Sequence, residues 1–320
     1  MTPADLSRLG RVLVTGATGF LGSHLAARLV AGGAEVHGTS RRSAPAAAGG
    51  LCWHQVDLSE ATAAERLLAV VRPDVIFHLA GCASGSWKLD WVLPTFAGDL
   101  ATTVHVLAAA TRQGCCRLVL AASLEEPEAE DQTPPIPSSP YGAAKWAAST
   151  YARMFHDLYR TPVVLARVFM TYGPGQSPVK VIPHTILSLL AGRRPQLGSG
   201  VRPVDFVFID DVIAGLEACA AAPGIEGATI DLGSGQLVTI AEVVKRIAHL
   251  MGASIAPDFG ALPSRPREQV RRANVGRTQE KVGWLPETPL DEGLARTIAW
   301  LEQQPSGPTA PISRGLGGEP

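Results

Sequence analysis

Arg11–Gly22 reads RVLVTGATGFLG: a compact β-type run over Arg11–Thr15 with Val12–Val14 apolar, then glycines at 16, 19 and 22. An apolar run without polar alternation predicts a strand buried on both faces. Behind the glycines, Leu21, Leu25 and Leu29 repeat on one face of a helix predicted from Leu21 to Ala31. Strand, glycine turn and helix in that order form a cradle for a pyrophosphate. The turn must be tight, its N–H groups must approach the phosphates closely, and the helix must pack against the strand. The spacing is G-x-x-G-x-x-G, and the candidate cofactor-binding residues here are Gly16, Thr18, Gly19, Phe20, Leu21 and Gly22.

Outward from this turn the same alternation continues. Further strands are expected at Glu35–Gly38, Cys52–Val56, Val75–Leu79, Leu118–Ala121 and Val163–Val168, and helices near Glu60–Val71, Phe96–Arg112 and Tyr141–Tyr159. Buried strands alternating with helices imply an α/β fold, a Rossmann-type doubly wound parallel sheet. Residues 1–169 would form the dinucleotide-binding domain. After Phe169, segments rich in Gly and Pro separate helices near Lys180–Leu190, Asp210–Ala222, Ile240–Met251 and Leu290–Gln303. Residues 170–304 are expected to form a smaller substrate-binding lobe interleaved with the first domain, and 305–320 a disordered tail.

Composition narrows the function. The 320 residues are 46% apolar and 18% charged with a net charge of −1, which removes the electrostatic case for nucleic acid or an anionic membrane. No hydrophobic stretch approaches the ~20 residues of a membrane span, and the first ten residues lack a signal peptide's order. Five cysteines without paired spacing suggest buried thiols in a reducing compartment, and a cytoplasmic protein. The eight histidines form no metal-ligand pattern, and no hydrolase elbow is present.

The tip of the second strand selects the cofactor. An acid there would bind a ribose 2′-hydroxyl and repel a 2′-phosphate. The chain has Ser40, Arg41 and Arg42 instead, which suit a 2′-phosphate, so NADP is expected, with NAD as second choice. Asp57 is placed either to meet the adenine amino group or to act as a cap or turn residue.

Tyr141 and Lys145, in Tyr-Gly-Ala-Ala-Lys, share one face at the start of a predicted helix, and Ser123 closes the fifth strand. A phenol ionises near ~10, and a neighbouring ammonium lowers that value. Tyr141 would exchange a proton with a substrate oxygen that Ser123 also binds, while Lys145 holds the cofactor ribose.

These residues bring a resemblance into view. The chain resembles an extended short-chain dehydrogenase/reductase of the nucleotide-sugar epimerase/dehydratase family, over roughly Arg11 to Gln303. The likeness rests on VTGATGFLG, the Asp57-Leu58 pair, HLAG at His78–Gly81, SPYGAAK at Ser139–Lys145, RVFMTYGPGQ at Arg167–Gln176, DFVFIDDV at Asp205–Val212 and GWLPETPLDEGLARTIAWL at Gly283–Leu301. VHGTSRR and Ser-Leu-Glu-Glu look most like the GDP-mannose dehydratase and GDP-4-keto-6-deoxymannose reductase branch. The resemblance implies that Asp57, Leu58, Leu79, Ala80 and Gly81 line the cofactor. It makes Arg202 and Arg265 candidates to clamp a sugar-nucleotide diphosphate, because a guanidinium pairs with phosphate oxygens at two points. Lys180 is a further substrate-side candidate. A homodimer through the helices at Phe96–Arg112 and Tyr141–Tyr159 is also implied, with Ala143, Ala144, Ala147 and Ala148 permitting close approach.

The chain departs from the family's pattern at four places. Val204 stands where an arginine is usual, Met170 and Asp99 where asparagines are usual, and Pro127 where a tyrosine is usual. The implied chemistry is oxidation or reduction at C4 of the hexose of a nucleotide sugar, by a 4-ketoreductase or 4-epimerase. Glu125, two residues after Ser123, keeps a 4,6-dehydratase open as an alternative, although Leu124 removes the acid that one dehydratase branch places between them. A non-catalytic, NADP-binding regulatory protein is the second alternative. The acidic run from Glu125 to Asp131 reads as a solvated loop.

Overall fold

Arg11–Thr15 forms β1, and Val12, Leu13 and Val14 are fully buried there, as a strand covered on both faces requires. The structure is a computed structural model that describes residues 6–42, 50–128, 135–263 and 267–304. Arg265, the expected tail over 305–320 and the end of the acidic run lie outside the described residues.

After β1 come α1 (Phe20–Ala31), β2 (Glu35–Ser40), β3 (Leu51–Gln55), α2 (Ala61–Val71) and β4 (Val75–His78). A long helical segment, α3 (Leu89–Gln113), leads to β5 (Arg117–Ser123), α4 (Pro140–Tyr159) and β6 (Val163–Val168). The remainder holds β7 (Met170–Tyr172), α5 (Val181–Leu190), β8 (Gln196–Leu197), β9 (Pro203–Phe208), α6 (Ile209–Ala221), β10 (Thr229–Leu232) and β11 (Leu237–Thr239). It ends with α7 (Ile240–Leu250), β12 (Asp258–Phe259), α8 (Val275–Val282) and α9 (Leu290–Glu302).

Seven strands make one parallel sheet in the order β10-β6-β5-β4-β1-β2-β3, the doubly wound arrangement expected. The order reverses beside β1, so the crevice at the carboxyl ends of β1 and β4 is where such sheets bind ligands. β10, which the sequence reading did not separate from the later segments, returns to this sheet and pairs with β6. The smaller sheet β11-β9-β7 stands beyond the carboxyl edge.

The C-terminal motifs hold this arrangement together. Asp205 on β9 is 1% exposed and accepts four hydrogen bonds, from Ser234 N (2.6 Å), Ser234 Oγ (2.7 Å), Gly235 N (3.0 Å) and Ala273 N (2.9 Å). A carboxylate that deep requires this many donors. Asp211 accepts from Glu287 N and Thr288 N, and its carbonyl takes the Trp284 indole N–H. DFVFIDDV and GWLPETPL are thus two halves of one clasp.

Two expectations need correction. Of the five cysteines, all unpaired, only Cys219 is buried; Cys52 and Cys116 are exposed. Helix α3 starts at Leu89 rather than Phe96, and by length and composition it is apolar enough to cross a membrane. Its second half, Thr102–Gln113, packs into the core: Val106, Leu107, Ala109 and Ala110 are buried with residues of β5, α2 and neighbouring strands.

Candidate active site

Gly16 adopts φ +69°, and a Cβ there would lie 2.8 Å from both N and Cα of Ala80. The first glycine is therefore demanded twice, by backbone conformation and by close approach. At Gly22 a Cβ would stand 2.2 Å from the Gly16 carbonyl oxygen, so α1 packs directly on the turn. Gly19 is the N-cap of α1, with no side-chain cap and no acid in the first turn. The first N–H groups of this helix, with the positive end of its dipole, are free for an anion, and Thr18 and Gly19 crest the turn. The cradle fits a dinucleotide pyrophosphate.

A buried polar chain couples the turn to the far side of the crevice. Thr15 Oγ1 accepts the N–H groups of Leu79 and Ala80, both at 3.2 Å, and donates to His78 Nδ1 at 2.8 Å. His78 Nε2 then donates to Thr103 Oγ1 at 3.1 Å, and Thr103 donates to the Asp99 carbonyl at 2.6 Å. Burial drives the His78 pKa down to about 3, so the ring is neutral and its tautomer is set by its neighbours. His78 is a core residue with both ring nitrogens satisfied, and through Thr15 it helps hold Leu79 and Ala80 along the crevice.

At the tip of β2, Arg41 and Arg42 are exposed, and Ser40 Oγ accepts the Arg42 N–H at 3.1 Å. Asp57 accepts from Ser59 N (2.9 Å) and Ser59 Oγ (2.7 Å), which with weaker attraction from Arg41 keeps its carboxyl below the usual range. That is the turn role of Asp57. Leu58 is 4% exposed, and its side chain packs in the core with residues of α2, which leaves its main chain for the cofactor role expected of it.

Ser139 caps α4 by accepting the Gly142 N–H at 3.1 Å, and Pro140 opens the helix, which puts Tyr141 in its first turn. Gly142 is needed because a Cβ would come within 2.9 Å of the Glu125 carbonyl oxygen, where helix and turn touch. Ser123 ends β5, its Oγ accepts the Glu125 N–H at 3.1 Å, and it hydrogen-bonds the Tyr141 phenol. One turn on, Lys145 is 6% exposed and donates to the Ala121 carbonyl at 2.7 Å. The three side chains converge as their spacing implies.

The electrostatics differ from expectation. Burial holds the Tyr141 phenol well above its ordinary value, and Asp99, Glu125 and Glu126 push it the same way, against the Ser123 hydrogen bond. Among the described residues, the acidic oxygen paired with the Lys145 ammonium is Asp99 Oδ1, at 3.9 Å. The expected lowering by the ammonium does not prevail.

Glu125 is partly buried, 3.6 Å from Arg202 Nη2, and its Oε2 accepts from Ser138 Oγ at 3.3 Å. Arg202 also pairs with Glu268 (2.9 Å) and donates to the Gln269 carbonyl. Arg202 therefore reaches the site through Glu125. Lys180 donates to the Ala83 carbonyl at 3.0 Å, above the loop that follows Gly81. Glu126 corrects the solvated-loop reading: it is 3% exposed, accepts from Ser123 N (2.8 Å) and Ser149 Oγ (2.9 Å), and braces the turn from below. Arg271, not singled out from sequence, donates to the Glu126 carbonyl at 3.0 Å and pairs with Glu128. Its signal was weak, one arginine among several in a Pro-rich stretch.

Against known proteins, residues 12–233 match the NAD dependent epimerase/dehydratase family. The chain is 32% identical over 314 residues to a UDP-glucose 4-epimerase of Mycolicibacterium smegmatis, covering 92% of this chain and 99% of that protein. It is 28% identical over 278 residues to a dTDP-glucose 4,6-dehydratase of Neisseria gonorrhoeae, covering 78% and 80%. Among solved structures, MoeE5 in complex with UDP-glucose and NAD superposes with a TM-score of 0.82 at 31% identity, covering 92% of this chain and 99% of that one. Over the whole chain these similarities run to UDP- and dTDP-sugar enzymes, whereas two short segments had pointed to the GDP-sugar branch. The match takes in the Gly16–Gly22 cradle as well as Ser123, Tyr141 and Lys145, and this chain belongs to the NAD dependent epimerase/dehydratase family.

Proposed function

We propose that the chain is a nucleotide-sugar 4-epimerase acting on a UDP-hexose, with Tyr141 as acid–base and Ser123 and Lys145 as its partners. The observation that carries this is the meeting of the Ser123 and Tyr141 hydroxyls at the carboxyl edge, one helical turn from Lys145 and beside the Gly16–Gly22 cradle. When bound, the nicotinamide dinucleotide supplies the hydride acceptor and donor for C4. Tyr141, once its own proton is lost, takes the C4 hydroxyl proton as C4 is oxidised and returns it to the ketone oxygen as C4 is reduced. Ser123 donates to that same oxygen; its own Oγ is oriented by the Glu125 N–H. Lys145 holds a ribose hydroxyl and lends positive charge. Similarity to the M. smegmatis epimerase and to MoeE5 favours the UDP-sugar and NAD. The strand tip of Ser40, Arg41 and Arg42, with no acid, leaves NADP acceptable, and the dinucleotide released from protein purified without additives identifies which is held. Residues 170–304 would supply the sugar-nucleotide side, through Arg202, Lys180 and Arg265. Five unpaired cysteines are in keeping with work in the cytoplasm.

The second reading, a 4,6-dehydratase, needs Glu125 as the acid–base group for water loss. Glu125 is committed to Arg202 and Ser138, which favours the epimerase. Glu125→Gln is expected to keep C4 turnover within about tenfold, with no deoxy-sugar formed by either protein. Water loss by the wild type that disappears in the variant would establish the dehydratase.

The homodimer is part of the same proposal, with a corrected surface. Ala144 and Ala148 face the protein's own core, at 6% and 1% exposure, so they cannot line a dimer contact. Leu89, Val92, Leu93 and Phe96 instead form an exposed apolar stripe at helical spacing, and Tyr151, Leu158 and Tyr159 are exposed on α4. Light scattering should give twice the monomer mass at micromolar concentration, and Leu93→Glu should give the monomer. A wild-type monomer would contradict the proposal.

A further inference from the structure

Asp99 lies beside Lys145, and the proposed reaction gives its carboxylate no part. It is wholly buried, in a π-helical stretch, Phe96–Ala101, inside α3. Such widened turns cost backbone regularity and gather at functional sites. Its Oδ2 accepts the Cys82 N–H at 3.1 Å, while its Oδ1 has no hydrogen-bond partner. A buried carboxylate oxygen left without a donor needs a reason. Among the described residues, the cation paired with it is Lys145, at 3.9 Å.

The position is fixed from several sides. Thr103, itself held by His78, donates to the Asp99 carbonyl, and Thr102 donates to the Gly98 carbonyl at 2.7 Å. Gly81 leaves room for Oδ1: a Cβ at residue 81 would lie 2.4 Å from it. Lys145 is held from the other side by the Ala121 carbonyl. The ammonium therefore sits between a carbonyl and a carboxylate, and an asparagine in place of Asp99 would keep the shape while dropping the charge.

We propose that Asp99 is a positioning residue whose ionised carboxylate pins the Lys145 ammonium and offsets its field at Tyr141, so that proton exchange runs at higher pH than a neutral amide in its place would allow. The charged and titratable groups facing this point are Tyr141 and Lys145 from α4, Cys82 from the loop after β4, Glu125 and Glu126 from the turn after β5, neutral His78 from β4, and Arg41 from the tip of β2. Of these, Asp99 is the acid paired with Lys145. Burial raises its carboxyl above the usual range, and Lys145 and the Cys82 N–H pull the other way, toward the charged form. The inference rests on Tyr141 being the acid–base group.

The test is Asp99→Asn, read in two ways. An infrared difference spectrum of wild type against variant, without added dinucleotide at neutral pH, should show the band of an ionised carboxylate. A protonated-acid band would overturn the proposal. The pH–rate profile with UDP-glucose should show its Tyr141-dependent limb moved down by about one pH unit in the variant. Asp99→Ala should move it the same way. A limb that stays in place, with kcat lowered uniformly, would mean a merely structural role and would also overturn the proposal. If Tyr141→Phe retains activity, the proposed function fails while the infrared result still stands or falls on its own.

Discussion

Tyr141→Phe should lose about 10²–10⁴ in kcat, while dinucleotide affinity changes by less than about twofold. Phenylalanine keeps the ring that fills the crevice wall and removes only the hydroxyl that Ser123 contacts. The loss falls on the step that moves a proton, so KM for the sugar nucleotide should shift little. Because burial and three carboxylates keep the phenol protonated at rest, wild-type activity, which needs a proton acceptor for C4 oxidation in either direction, should rise with pH toward the alkaline side. That rise should be missing from the residual activity of the variant. Steady-state kinetics across pH, with dinucleotide binding followed by fluorescence, measures all of this.

Gly22→Val should have an equally large effect on binding. Its Cβ would meet the Gly16 carbonyl oxygen at 2.2 Å and the Gly16 carbonyl carbon at 2.8 Å, both backbone atoms. Neither can swing aside as a side chain would, so α1 must shift away from the turn. Overpacking of this kind costs about 1–3 kcal/mol in stability, so the variant should fold with a lowered Tm. The N–H groups at the start of α1 then no longer converge with those of the turn, and dinucleotide affinity should fall by about 100-fold or more. Calorimetric titration of the folded variant checks this. Unchanged affinity would mean the pyrophosphate lies elsewhere.

Local signals carried much of the fold. β1 and β6 were readable to the residue, because each is built on a short buried apolar run, Val12–Val14 and Val163–Ala166. β10 was hidden: its four residues, Thr-Ile-Asp-Leu, alternate like an ordinary half-buried strand, and only pairing with β6 reveals its place. The start of α3 was hidden for a related reason. Pro94 interrupts the helical pattern, and the apolar residues before Phe96 face outward rather than repeating on the buried face.

In the site, the converging residues were legible and their partners were not. Ser123, Tyr141 and Lys145 carry a spacing that helix geometry turns into proximity. Glu126 looked like one charge in an acidic loop, yet the turn folds its carboxylate under the Ser123 N–H. Asp99 meets Lys145 from far upstream in the chain, through a widened helical turn that no periodicity announces. Leu58 is a motif position whose side chain serves the core.

The most direct test of the account is to incubate the protein, purified without added dinucleotide, with UDP-glucose and follow the sugar by proton NMR. Slow equilibration with the C4 epimer is expected, with no net oxidation and no loss of water, and Tyr141→Phe should slow the exchange by about 10²–10⁴. Accumulation of a 4-keto-6-deoxy sugar, or epimerisation at full rate by Tyr141→Phe, would contradict it.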